Sequence, residues 1–160
     1  MAAAIRLQGQ EVYSLTTDAR IVAIRWDLLE WGVVFDLDTP VSESEGAAMR
    51  RAWLAFSGVA EVTLALQNAR LPTGIWLKSS LESMLDDEGF RRYTCQALLP
   101  VFEGHSLRSE GMSSTLSIRA QDVVGVVSRN SEAPREYGLS FESRQRLCAD
   151  LEMLKFVAGG

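Results

Sequence analysis

Residues 20–38 read RIVAIRWDLLEWGVVFDLD, two apolar runs around the short segment DLLE. In the first run Val22, Ile24 and Trp26 fall on one side and Arg25 and Asp27 on the other. In the second, Trp31, Val33, Phe35 and Leu37 share a face, with Gly32, Val34, Asp36 and Asp38 opposite. Side chains alternate across a strand, so a period of two marks half-buried antiparallel strands and not helix. The segment between the runs has the length of a hairpin loop.

The same alternation recurs downstream. RRAWLAFSG carries Ala52, Leu54 and Phe56 on one side, and VAEVTLAL carries Val62, Leu64 and Leu66, with Ser57 and Gly58 marking a turn or bulge between them. LPTGIWL reads as a turn and a short strand, GFRRYTCQAL sets Tyr93, Cys95 and Ala97 against Arg92, Thr94 and Gln96, and MSSTLSIRA and VVGVVS complete the series. Three polar stretches, residues 38–49, 103–114 and 129–138, read as exposed loops. The C-terminus breaks the pattern: Ser140 can cap a helix over residues 141–157, with Glu142 in its first turn and Leu147, Cys148, Leu151 and Leu154 in one stripe. The expected fold is therefore β-rich α+β, a curved antiparallel sheet or sandwich with a C-terminal helix packed on it, in a single domain spanning residues 1–160. The strand order and the first twenty residues stay open.

Composition narrows the function. The chain has 160 residues, 47 % of them hydrophobic, which is enough for one sizeable core. No apolar run reaches the ~20 residues of a membrane span, and the N-terminus has no secretory pattern, so a cytoplasmic protein is expected. The net charge of −5 disfavours nucleic acid and suits a basic protein partner. Two cysteines, Cys95 and Cys148, read as buried free thiols, and a lone His105 leaves too few ligands for zinc. No metal and no cofactor are expected.

Asp36 and Asp38 invite a sharper reading. Residues 33–41, VVFDLDTPV, resemble the opening motif of haloacid-dehalogenase-type phosphatases. That resemblance implies a nucleophile at Asp36, an acid/base at Asp38 and a shared Mg²⁺. The rest of the chain departs from the family. Thr39 and Pro40 follow where a Gly and a Thr are usual, the acidic pair Asp86 and Asp87 precedes the candidate strand-ending Ser128, and no Lys lies between. The periodicity from Trp26 to Ser128 lacks crossover helices. Asp36 and Asp38 are expected on the outward face of a hairpin strand. His105 reads as a surface histidine, with no Gly-x-Ser-x-Gly elbow anywhere in the chain. LDDEG, residues 85–89, reads as an acidic turn.

What remains is a surface. Asp36, Asp38, Glu43 and Glu45 are expected to form one negative patch, and Asp27 and Glu30 add acidic contact candidates at the hairpin loop that Trp26 and Trp31 bracket. Aromatic side chains beside carboxylates suit a protein-binding hot spot. The order IRWDLLEWGVVFDLD, AWLAFSGVAEVTL, LPTGIWL, within residues 20–78, resembles small bacterial immunity proteins of polymorphic toxins. The resemblance implies a non-catalytic protein that blocks a cognate toxin domain by direct binding; with the acidic charge, the expected mode is occlusion of a basic active site, and no membrane or nucleic-acid partner is expected. Two alternatives come from other classes: a metal-dependent phosphohydrolase using Asp36 and Asp38, and an accessory β-domain of a larger complex.

Overall fold

The computed structural model describes residues 4–27, 32–41, 48–64, 75–99, 102–103, 106–107 and 112–132. In chain order the elements are β1 (Ala4–Arg6), α1 (Gln10–Ser14), β2 (Ala19–Asp27), β3 (Gly32–Pro40), β4 (Met49–Ser57), β5 (Glu61–Leu64), β6 (Ile75–Leu77), β7 (Glu82–Leu85), β8 (Arg91–Leu99), β9 (Phe102–Glu103), β10 (Ser106–Leu107), β11 (Met112–Ala120) and β12 (Asp122–Glu132). The expected antiparallel, β-rich architecture is what forms. Among the described residues ten strands make one sheet in the order β1-β12-β4-β3-β2-β6-β8-β11-β5, with β7 beside β8, and β9 pairs with β10. The open N-terminal twenty residues hold β1, α1 and the start of β2. All three expected loops are partly strand: Asp38–Pro40 finish β3, Glu103 ends β9, Ser106–Leu107 form β10, Met112–Ser114 begin β11, and Arg129–Glu132 finish β12. The expected C-terminal helix and Cys148 lie outside the described residues.

The β2–β3 hairpin forms with Asp27 opposite Gly32 and Trp26 opposite Val33. A bulge between Ile21 and Ala23 then shifts the register, so that Arg20, not Ile21, stands opposite Asp38. β4 continues the sheet with Leu54 opposite Phe35 and Ala52 opposite Leu37.

The sheet curls until its inner face meets itself. β4 and β8 are four places apart in the sheet, yet Phe56 of β4 packs edge-on against Tyr93 of β8, ring centroids 5.4 Å apart. Phe35 meets the same Phe56 at 5.7 Å, and Tyr13 of α1 stacks on Tyr93 at 6.4 Å. Offset and edge-on aromatic pairs of this kind add about 0.5–1.5 kcal/mol each to the burial itself. Around them Ile21, Val33, Leu37, Leu54, Leu77, Cys95, Leu116 and Ile118 form the main core. α1 caps this core with Val12 and Leu15, which sit against Gly125 of β12; a Cβ there would stand 3.0 Å from Leu15 and 3.1 Å from Val12.

One corner produces the curl. β4 runs into β5 and β11 runs into β12, and the two halves pair as a long ribbon: Asp122 opposite Ser57 on one side of the bend, Arg119 opposite Glu61 on the other. At the bend Gln121 donates its N–H to Ser57 O at 3.0 Å and Ala60 donates to Arg119 O at 2.8 Å. Gly58 makes the turn with φ +58°, and a Cβ on it would run into the Gln121 side chain. Both the left-handed backbone and the close approach require glycine.

Gly58→Ala is accordingly expected to destabilise the fold by about 1–2 kcal/mol, the cost of a left-handed non-glycine residue, with the steric conflict added. Adding Gln121→Ala relieves only the conflict. Urea denaturation of the parent, the single variant and the double variant measures this, and a Gly58→Ala protein as stable as the parent contradicts the corner's role.

Candidate functional site

The outer face of the β2–β3–β4 unit holds Asp36 and Asp38, two of the residues that sequence reading marked for function. Antiparallel register lines side chains up across strands, and two such rows cross here. The first runs Trp76, Arg20, Asp38, Arg51 across β6, β2, β3 and β4; the second runs Ala23, Asp36, Trp53, Val126 across β2, β3, β4 and β12.

Both aspartates are buried, which corrects the expected acidic patch. Asp36 is 0 % and Asp38 1 % exposed, with Arg51 at 4 % and Arg20 at 7 % beside them. The β3 face that carries them is not the solvent face of a ribbon. Trp53 and Val126 lie on that face, packed with Ala4, Val34 and Val124 as a second, smaller core.

Each carboxylate meets a guanidinium. Arg51 Nη1 lies 2.5 Å from Asp38 Oδ1, straight across the β3–β4 ladder. Arg25 donates from Nε to Asp36 Oδ2 at 3.0 Å, on the diagonal of the β2–β3 pair. The bulge in β2 adds Arg20 to the same face. It flips the alternation between Arg20 and Ala23, so Arg20 and Arg25 come to one face although they are an odd number of residues apart. Arg20 also lies over the Trp76 ring, 5.5 Å from its centre.

The balance of forces differs along the row. Burial pushes the Asp36 carboxyl above its ordinary value of 3.8, and the attractions of Arg25 and Arg51 offset this only in part. Among the described residues its second oxygen, Oδ1, has no hydrogen-bond partner, and neither has Nε1 of Trp53, the residue directly opposite. The result is a charge cluster in which Arg25 stands at Oδ2 of Asp36 and Arg51 at Oδ1 of Asp38.

Other residues singled out in the sequence fall elsewhere. Trp26 is 58 % exposed and shares its face with Ile24, 38 % exposed, where the inner face of β2 runs out past the core. Asp27 ends β2, and its side chain lies outside the described residues, as do Glu30, Trp31, Glu43, Glu45 and His105. The acidic turn is real. Asp86 Oδ1 accepts the N–H groups of Glu88 and Phe90 at 3.0 and 2.9 Å, while its Oδ2 accepts from Arg119 Nε at 2.6 Å. Arg119 bonds Glu88 as well, at 2.8 Å, and lies over the Phe90 ring. The hydrogen bond from Arg119 holds the Asp86 carboxyl below its ordinary value. Among the described residues no group of three His, Cys, Asp or Glu side chains is arranged to hold a metal. Cys95 is a buried free thiol whose pKa burial pushes up to about 12, and it lies in the core.

Sequence reading missed Arg20, Arg25, Arg51 and Trp53. A signal existed for one of them. In the unshifted half of the hairpin, Arg25 pairs with Val34 and so lies diagonal to Asp36.

Two outcomes are expected. Asp38→Asn or Arg51→Met alone strands a buried charge and costs about 3–5 kcal/mol, whereas the pair replaced together by apolar residues costs less than the sum; a double-mutant cycle in urea measures the difference. Asp36 behaves oppositely. Its native pKa exceeds the unfolded one, so the native state holds the extra proton in between, and the stability this gives below the ordinary value is lost as pH rises through the native pKa. Asp36→Asn, which cannot ionise, should therefore gain stability relative to the parent as pH is raised from about 3 to about 7; a constant difference across that range contradicts the burial argument. No protein-family model matches the chain, and neither does any curated protein or solved structure.

Proposed function

We propose that this chain is a cytoplasmic, non-catalytic binding protein that neutralises a cognate bacterial toxin by covering its active site. The observation that carries the reading is Trp26, 58 % exposed on the same face as Ile24 at 38 % and outside both cores. A large aromatic held on a long central strand, and not on a loop, is preorganised to enter a partner's pocket at little entropic cost. The net charge of −5 favours encounter with a basic domain. Asp36 and Asp38, committed to Arg25 and Arg51, support binding over phosphoryl transfer. They also remove themselves from the contact surface, which leaves Trp26 as its anchor among the described residues.

No helix among the described residues is long and apolar enough to cross a membrane. The bound protein, recovered from the native host and identified, should be a toxin whose catalytic domain arrests growth when expressed alone. Co-expression of this chain should restore growth, and Trp26→Ala should weaken the complex by about 2 kcal/mol or more. Absence of rescue, combined with Mg²⁺-dependent phosphate-ester hydrolysis that Asp36→Asn abolishes, would replace this reading with the hydrolase.

A further inference from the structure

Strand β7, with the sequence ESML, is exposed at every residue, and it carries the two most exposed large apolar side chains among the described residues, Met84 at 75 % and Leu85 at 60 %. Its pairing is one-sided. Glu82, Ser83, Met84 and Leu85 stand opposite Thr94, Tyr93, Arg92 and Arg91 of β8, and no other strand joins it among the described residues.

The direction of its backbone groups follows from the turn. Asp86 donates its N–H to Phe90 O at 2.8 Å, closing the β7–β8 hairpin. In an antiparallel ladder alternate residues address the same neighbour. Met84 and Glu82 therefore bond β8, while Ser83 and Leu85 turn their N–H and C=O groups outward. Leu81 confirms the parity, because its N–H points away from β8 and is taken by Tyr13 O at 2.8 Å. α1 covers the edge backbone at Leu81 and reaches β7 once more through Tyr13 Oη, 3.3 Å from the Ser83 side-chain oxygen, so the free edge consists of the outward backbone groups of Ser83 and Leu85 and ends at the acidic turn.

Charge completes the description. Asp86 and Glu88 are tied to Arg119, and Arg92 to Glu61 and Ser117. Glu82 and Asp87, at the two ends of the edge, make no ion pair among the described residues. Arg91 lies across β8's ladder, on the side away from the open edge. A strand edge blunted only by its shortness and charge has no need of two uncovered apolar side chains. An added strand would cover both, one on each face.

We infer that the outer edge of β7 is a docking site for an extended, basic segment of a partner protein, which joins the sheet as an additional antiparallel or parallel strand. Its backbone pairs with Ser83 and Leu85, its apolar side chains cover Met84 and Leu85, and its cations meet Glu82 and Asp87. The inference rests on the binding-protein reading above and adds a second contact to the one at Trp26.

The test uses the full chain and a peptide of about ten residues alternating lysine and valine, with a glutamate–valine peptide as control. On addition of the basic peptide the Ser83 and Leu85 amides should exchange roughly tenfold more slowly or better, and those of Glu82 and Met84 should change little, since they are already bonded. Leu85→Pro removes an outward donor without touching the β8 ladder, the edge position at which proline is tolerated. It should weaken peptide binding at least about tenfold. Glu82→Lys with Asp87→Lys, two exposed changes, should weaken it comparably and abolish the preference for the basic peptide. Equal binding by the proline variant in a folded protein, or protection elsewhere than Ser83 and Leu85, overturns the docking site. A toxin neutralised equally by parent and Leu85→Pro overturns it too, while leaving the immunity reading intact. Peptide docking at β7 without any toxin rescue leaves the site standing and removes the immunity reading.

Discussion

β3 is buried on both of its faces, and the rest of the molecule is arranged around that constraint. One face, with Val33, Phe35 and Leu37, needs only apolar neighbours. The other presents Asp36 and Asp38, and a buried carboxylate without a partner would not be tolerated. β4 answers with Arg51 and β2 with Arg25, each placed by register. β3 therefore cannot slip by one residue against either neighbour, because a slip would carry both aspartates into the aromatic core and the aromatics out of it. Buried ion pairs of this kind give less net stability than their contacts suggest. What they supply here is a unique register for the three central strands.

The second constraint is curvature. A flat sheet would leave Phe56 and Tyr93 on the same side but out of reach. The corner at Gly58 and Gln121 folds the β4–β5 and β11–β12 ribbon, and the inner face closes on an aromatic chain running Phe35, Phe56, Tyr93, Tyr13. Curvature has a limit, however. Past Ile21 the inner face of β2 outruns the core, and Ile24 and Trp26 emerge from it. The sites proposed for partners lie at such margins: the end of β2, and the outer edge of β7, where no further strand is added among the described residues.

Trp26 lies at one end of the sheet along the strand direction, and β7, level with Arg91–Thr94 of β8, lies at the other. The contacts proposed at the two sites are therefore separate, and the buried cluster takes no direct part in either. It holds β2 in register, and so it sets where Trp26 emerges.

The sequence alone determined the longer strands, their antiparallel sense and the first hairpin, because alternation with period two is a local property that survives without knowledge of neighbours; the short strands β1, β7, β9 and β10 carry too few residues to show it. It also separated Phe35 and Leu37 from Asp36 and Asp38 correctly. It could not say that both faces of β3 are buried, since burial depends on what packs above a strand and not on the strand itself. An alternating polar residue looks the same whether water or an arginine stands over it. Tertiary structure decided this through a single-residue bulge in β2, which brings Arg20 and Arg25 to one face, and through the pairing of β4, whose Arg51 is far in sequence from Asp38 on the scale of a hairpin. The same long-range packing decided which apolar residues stay uncovered. The strand at Glu82–Leu85 was not read from the sequence, and only the absence of a neighbouring strand among the described residues makes Met84 and Leu85 an edge.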